Sequence, residues 1–146
     1  MTETRIFYAH AKAQGDFLRE DAEIIAARWR VKTGTPVRVA PGRDDYDQAF
    51  ATCGRSWDRW IARWATGTRL DGEPHYHVAV VPDVSLGRAT AQGLIAMLAA
   101  GKPVIYWNRA DQWLRVERVV VVNEKSWTAY GEIVTPDCPP LLDVAF

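Results

Sequence analysis

Residues 75–107 constrain the fold more than any other part of the chain. "HYHVAVV" (75–81) is a strand pattern whose apolar end is continuous, as expected for a strand buried on both faces. "PDVSLG" turns the chain, and residues 86–100 then read as a helix. Ala89, Ala91, Gly93, Ala96, Ala99 and Ala100 make that helix small-sided, so it can lie close to a sheet. Gly101 stops it, and "KPVIYW" (102–107) is the next strand. Strand, helix and strand joined by short connections make a βαβ unit, which requires a parallel pair and a covering helix.

The same alternation extends in both directions. "RIFYA" (5–9) reads as a first strand. Residues 16–33 read as a helix, with Leu18, Ala22, Ile25 and Trp29 on one apolar stripe. Its acids, Asp16, Glu20, Asp21 and Glu23, come early and its bases, Arg28, Arg30 and Lys32, come late, as the helix dipole favours. "PVRVA" (36–40) is a second strand. Tyr46, Phe50, Cys53, Trp57, Trp60 and Trp64 form one seam of a further helix, a core or subunit-interface pattern. A short helical piece is expected near 109–114, strand five at "RVVVVN" (118–123), and an extra C-terminal edge strand within 127–134. The Pro-rich end reads as extended. The expectation is one α/β domain spanning 1–146, with a mostly parallel five-stranded sheet and helices on both faces, flavodoxin- or Rossmann-like.

Composition narrows the class of function. The 146 residues are 48% hydrophobic and 25% charged, an ordinary soluble balance. Formal net charge is zero, which gives no electrostatic reason to expect a nucleic-acid partner. No apolar run is long enough to span a membrane. The N-terminus lacks the apolar core of a signal peptide, and the two cysteines show no metal or disulfide spacing. A reducing cytoplasm is the expected location. The seven tryptophans imply a large aromatic core, an aromatic interface or a stacking site.

In open parallel sheets ligands bind beyond the carboxyl ends of the strands, where the strand order reverses. The residues expected there are Tyr8 and His10, Arg43 to Asp45, Asp83 to Arg88, and Trp107 to Arg109. Asp83 either faces a ligand or caps the next helix. In "SLGRAT" (85–90), Gly87 lets backbone approach a ligand, while Ser85 and Arg88 supply a hydroxyl and a cation for an anion; an ordinary helix start with a surface arginine is the stronger reading of the segment alone. His75 and His77 share one side of a strand, but no third metal ligand is evident, so no metal is expected.

"RIFYAHA", "VRVAPG" and "HYHVAVVPDVSLGRATAQGLIAMLAAGKPVIYW" together resemble the nucleoside 2-deoxyribosyltransferase-like superfamily over roughly residues 4–108. The resemblance implies a pocket for a nucleoside or nucleotide, homo-oligomers that complete one another's pockets, and no cofactor. It implies chemistry at an N-glycosidic bond, in which a glutamate attacks the sugar and an aspartate handles the proton of the departing base. Carried onto this chain, Asp83 matches the aspartate, Gly87 the loop glycine and Tyr8 the first-strand aromatic. The attacking glutamate falls at Ala89 or Gly93, and residues 84–101 contain no acid. The resemblance therefore implies either relocated chemistry, from a carboxylate such as Asp45, Glu73 or Glu132, or a binding module that lost its nucleophile. His10 stands where relatives often carry a small residue.

Overall fold

The computed structural model describes residues 3–9, 18–40, 65–68, 71–110 and 112–136. The elements are β1 (Thr4–Tyr8), α1 (Leu18–Thr33), β2 (Val37–Ala40), β3 (Val78–Val81), β4 (Ser85–Leu86), α2 (Arg88–Ala99), β5 (Val104–Trp107), β6 (Trp113–Arg115), β7 (Arg118–Val121) and β8 (Gly131–Val134). The expected helix seam from Tyr46 to Trp64 lies outside the described residues, as do Cys53 and Cys138.

A five-stranded sheet runs in the order β2-β1-β3-β5-β6. β2, β1, β3 and β5 run parallel to one another, and β6 is antiparallel to β5. The domain is thus α/β, but its sheet is mixed. The strand at Trp113–Arg115 replaces the helical piece expected near 109–114. Its direction follows from the length of the link. Residues 108–112 can close a hairpin, whereas a parallel crossover needs about a dozen residues or more.

The predicted fifth strand does form, at Arg118–Val121, but in a different sheet. It joins a three-stranded antiparallel sheet ordered β4-β8-β7. β8 is the middle strand there rather than an extra edge of the main sheet. Residues 116–117 separate β6 from β7, and β7 leaves the main sheet to pack against α2.

The two faces of the main sheet bury different side chains. Val78 and Val80 of β3 pack with Ile6, Tyr8, Ile25 and Trp29, under α1. Ala79 and Val81 pack with Leu94, Met97, Leu86 and Ile133, under α2 and the small sheet. The alternation follows the two-residue period of a strand. Three tryptophans sit on the α1 side. Trp107 stacks on Trp113 with centroids 5.0 Å apart and planes 15° apart, and Trp29 meets Trp113 edge-on at 6.4 Å. Among the described tryptophans, these three form the aromatic core that the composition suggested, and Trp127 is exposed.

α2 ends as its sequence demands. Gly101 has φ +77°, its N–H bonds to the Leu98 carbonyl, and the Lys102 N–H reaches back to Met97. This paired closure needs a left-handed residue after the last turn. Gly101→Ala should therefore cost about 1 kcal/mol, read as a lower urea midpoint with an unchanged slope. No helix among the described residues is long and apolar enough to cross a membrane.

Candidate functional site

β1 and β3 are neighbours, but the chain leaves them in opposite directions. β1 leads through α1 to β2 on one flank, and β3 leads through α2 to β5 on the other. Their carboxyl ends therefore lie where the strand order reverses, the place where open α/β sheets hold ligands. Four side chains meet there: Tyr8 closes β1, Asp21 lies in the first turn of α1, Asp83 follows β3, and Arg109 follows β5.

The contacts form a chain. The buried Tyr8 hydroxyl donates to Asp21 Oδ2. Arg109 Nε donates to the same oxygen at 3.0 Å, and its Nη2 lies 3.4 Å from the Tyr8 oxygen. Arg109 Nη1 faces Asp83 Oδ1 at 3.9 Å. One guanidinium thus stands between two carboxylates. The Asp21 side chain is 8% exposed, the Asp83 side chain 25% and that of Arg109 31%. The reachable part of the cluster is the Arg109–Asp83 edge. Arg109 has φ +64°, alone among the described non-glycine residues. Non-glycine residues in that region cluster at functional sites, where surrounding contacts hold them.

The charges reinforce the geometry. Burial raises the Tyr8 pKa above its ordinary value, and the hydrogen bond and charge of Asp21 raise it further, against a smaller opposing effect of Arg109. Tyr8 is therefore a permanent donor. Burial opposes the Arg109 charge, but the bond to Asp21 and contact with Tyr8 outweigh it and raise that pKa. Asp21 is committed to two donors, which leaves Asp83 as the carboxylate that can turn to a ligand.

The structure brings together Tyr8, Asp83 and Arg109 from the strand ends named by topology. It adds Asp21, which the sequence reading assigned only to the helix dipole. A signal was present: Asp21, Ile25 and Trp29 recur at the spacing of one buried helix face. An acid on that face must be paired.

The described contacts of Ser85, Gly87 and Arg88 run instead to the small sheet. Ser85 is exposed and pairs across the ladder with Glu132. A Cβ on Gly87 would lie 3.0 Å from the Trp127 carbonyl, so protein backbone already makes the close approach that a ligand would need. That carbonyl also accepts the Arg88 N–H at 3.1 Å. The Arg88 guanidinium lies over the Trp127 and Tyr130 rings, 5.3 and 5.1 Å from their centroids, and donates to the Glu124 carbonyl. His10 and Arg43 to Asp45 lie outside the described residues. Glu73 is an exposed residue of a turn closed by Asp71.

His75 and His77 precede β3 and so sit at the other end of the sheet. The Arg5 N–H donates to His77 Nδ1 at 3.0 Å, and Arg5 Nε donates to the His75 carbonyl. Burial, then the charge of Lys102, lowers the His77 pKa below its ordinary value, against a raising effect of Glu73. This histidine resists protonation more in the native state than in the unfolded chain. Its contribution to stability is complete above the unfolded pKa of about 6.5 and is lost as pH falls from there through the lower folded value. Stability should thus decline on acidification across that window. His77→Asn, which keeps an acceptor but cannot titrate, should flatten the slope of urea midpoint against pH. An unaltered slope would discount the role of His77.

A depression of about 390 Å³ lies at the same amino end, lined by Leu98, Lys102, Arg115 and Glu117 among others. Its lysine is spoken for: Lys102 Nζ donates to the Tyr76 carbonyl at 2.7 Å, and burial lowers its pKa. Among the described residues no group of three or more histidine, cysteine or acidic side chains is placed to hold a metal ion. No protein-family model, no curated protein and no solved structure matches this chain.

Proposed function

We propose that this chain is a nucleoside- or nucleotide-binding domain of the nucleoside 2-deoxyribosyltransferase-like type, with its ligand at the carboxyl ends of β1, β3 and β5. The observation that carries the reading is the Tyr8–Asp21–Arg109–Asp83 chain at the point of strand reversal. Counting parallel strands alone, the order β2-β1-β3-β5 supports this reading, because flavodoxin-like sheets hold their ligand between the first and third strands. Asp83 accepts hydrogen bonds from ligand hydroxyls, and Arg109, braced by Asp21, fixes the angle of approach. This reading keeps the domain in the cytoplasm.

A specific observation favours a second, enzymatic reading. α2 lacks an acid, yet Asp21 brings another carboxylate to the same guanidinium as Asp83. Two carboxylates are what retaining cleavage or transfer at an N-glycosidic bond requires. The burial of Asp21 and its two donors weigh toward binding without chemistry.

One experiment separates the readings. Wild type and Asp83→Asn are melted with a panel of ribo- and deoxyribonucleosides and their 5′-monophosphates. A ligand at a hundredfold its dissociation constant adds about 2.7 kcal/mol, a readily measured rise in Tm that Asp83→Asn should abolish. No rise with any member rejects the binding reading. Release of free base from a bound member would establish the enzymatic one.

A further inference from the structure

The amino end of the main sheet gathers positive charge without an acid paired to it. Arg5 belongs to β1 and is only 8% exposed. It shares the face of Phe7, the α2 side, and the register sets Arg38 of β2 directly beside it. Successive carbonyls of the segment before β3 receive two cations. Arg5 Nε donates to that of His75 at 2.8 Å, and Lys102 Nζ donates to that of Tyr76 at 2.7 Å. His77 comes next. Its Nδ1 accepts the Arg5 N–H, so the neutral ring carries its proton on Nε2, which is then a donor.

These contacts spend few of the donors. Arg5 keeps both Nη groups, and the bond to Tyr76 takes one of the three Lys102 N–H groups. The Arg5 Nη atoms are not among the sealed polar atoms that lack a partner, so they reach the surface. A carbonyl satisfies a hydrogen bond but does not cancel a charge, and buried charges are ordinarily paired. Among the described residues no acid forms an ion pair with Arg5, Arg38 or Lys102, and that includes Glu3, Glu73 and Glu117. His77 registers the imbalance: after burial, the charges of Lys102 and Arg5 hold its pKa down, against a raising effect of Glu73.

We propose that Arg5, Lys102 and His77 form a second binding site, which takes a small oxyanion of the phosphate or carboxylate kind, with Arg38 at its rim. The Arg5 Nη groups offer the N–H donors that paired oxygens accept, Lys102 adds a compact charge, and His77 Nε2 adds a neutral donor. The site lies at the opposite end of the strands from Asp83 and does not depend on the nucleoside reading.

Calorimetric titration of the full chain with orthophosphate, and in a separate arm with acetate, tests it, with chloride holding the ionic strength constant. The expected result is saturable binding at one site in at least one arm, and the arm that binds identifies the oxyanion. Lys102→Gln should weaken that binding roughly tenfold, the worth of one charged hydrogen bond. Arg38→Gln, an exposed change, should weaken it about threefold, as a screened surface charge does, and it decides the matter if Lys102→Gln fails to fold. Asp83→Asn should leave the binding unchanged. Absence of binding in both arms, binding indifferent to the folded Lys102 and Arg38 variants, or binding lost in Asp83→Asn overturns the proposal.

Discussion

Trp113→Ala should lower the free energy of unfolding by about 3–5 kcal/mol. Trp113 belongs to the shortest strand of the main sheet, so little backbone pairing anchors it. Its indole makes the connection instead. It lies nearly flat on Trp107, receives the edge of Trp29, and carries the Arg28 guanidinium 5.7 Å from its centroid. Removing it opens a hole between β5 and α1 that the stiff neighbouring rings cannot fill. The Trp113 N–H finds no acceptor among the described residues, so Trp113→Phe loses no hydrogen bond there and should cost well under half as much. Urea unfolding measures both losses, and loss of the exciton signal of the stacked indoles should accompany the alanine variant. A loss below about 1 kcal/mol would show that the aromatic cluster does not hold β6 in place.

The parts of this fold that were legible in the sequence are those set by local patterns. β3 reads as buried because Val78–Val81 has no polar interruption, and it is buried on both faces. α2 reads as a helix ended by Gly101, and it ends there. The miss was sheet membership. Arg118–Val121 reads correctly as a strand, but nothing in its own residues says which strand will pair with it. The link before β6 settles only the direction of that strand, because its length forbids a parallel crossover.

The site divides along similar lines. Tyr8, Asp83 and Arg109 are named by topology, since each follows a parallel strand. Asp21 was hidden because an acid in the first turn of a helix already has a sufficient explanation in the dipole. The Ser85–Arg88 segment carries the chemistry of an anion site. Its contacts are with Trp127 and Tyr130, far along the chain, and no local pattern reveals that pairing.

Arg109→Met should destabilise the protein by about 2 kcal/mol. Removing one partner of a fully buried ion pair costs about 3–5 kcal/mol, and the partial exposure of Arg109 reduces that figure. Among the described residues, what remains is a nearly buried Asp21 carboxylate that accepts from the Tyr8 hydroxyl. The loss should therefore depend on the Asp21 charge. Asp21→Asn in the Arg109→Met background removes that charge while keeping an acceptor for Tyr8, and should recover most of the stability. A double variant no more stable than Arg109→Met would mean that the cost lies in lost packing of the arginine stem and not in a stranded charge. The same pair separates folding from binding. If the Arg109–Asp83 edge receives the ligand, the stabilised double variant still lacks the guanidinium and should show no ligand-induced rise in Tm. A full rise in that variant would remove Arg109 from the binding surface and leave it the structural task of holding Asp21.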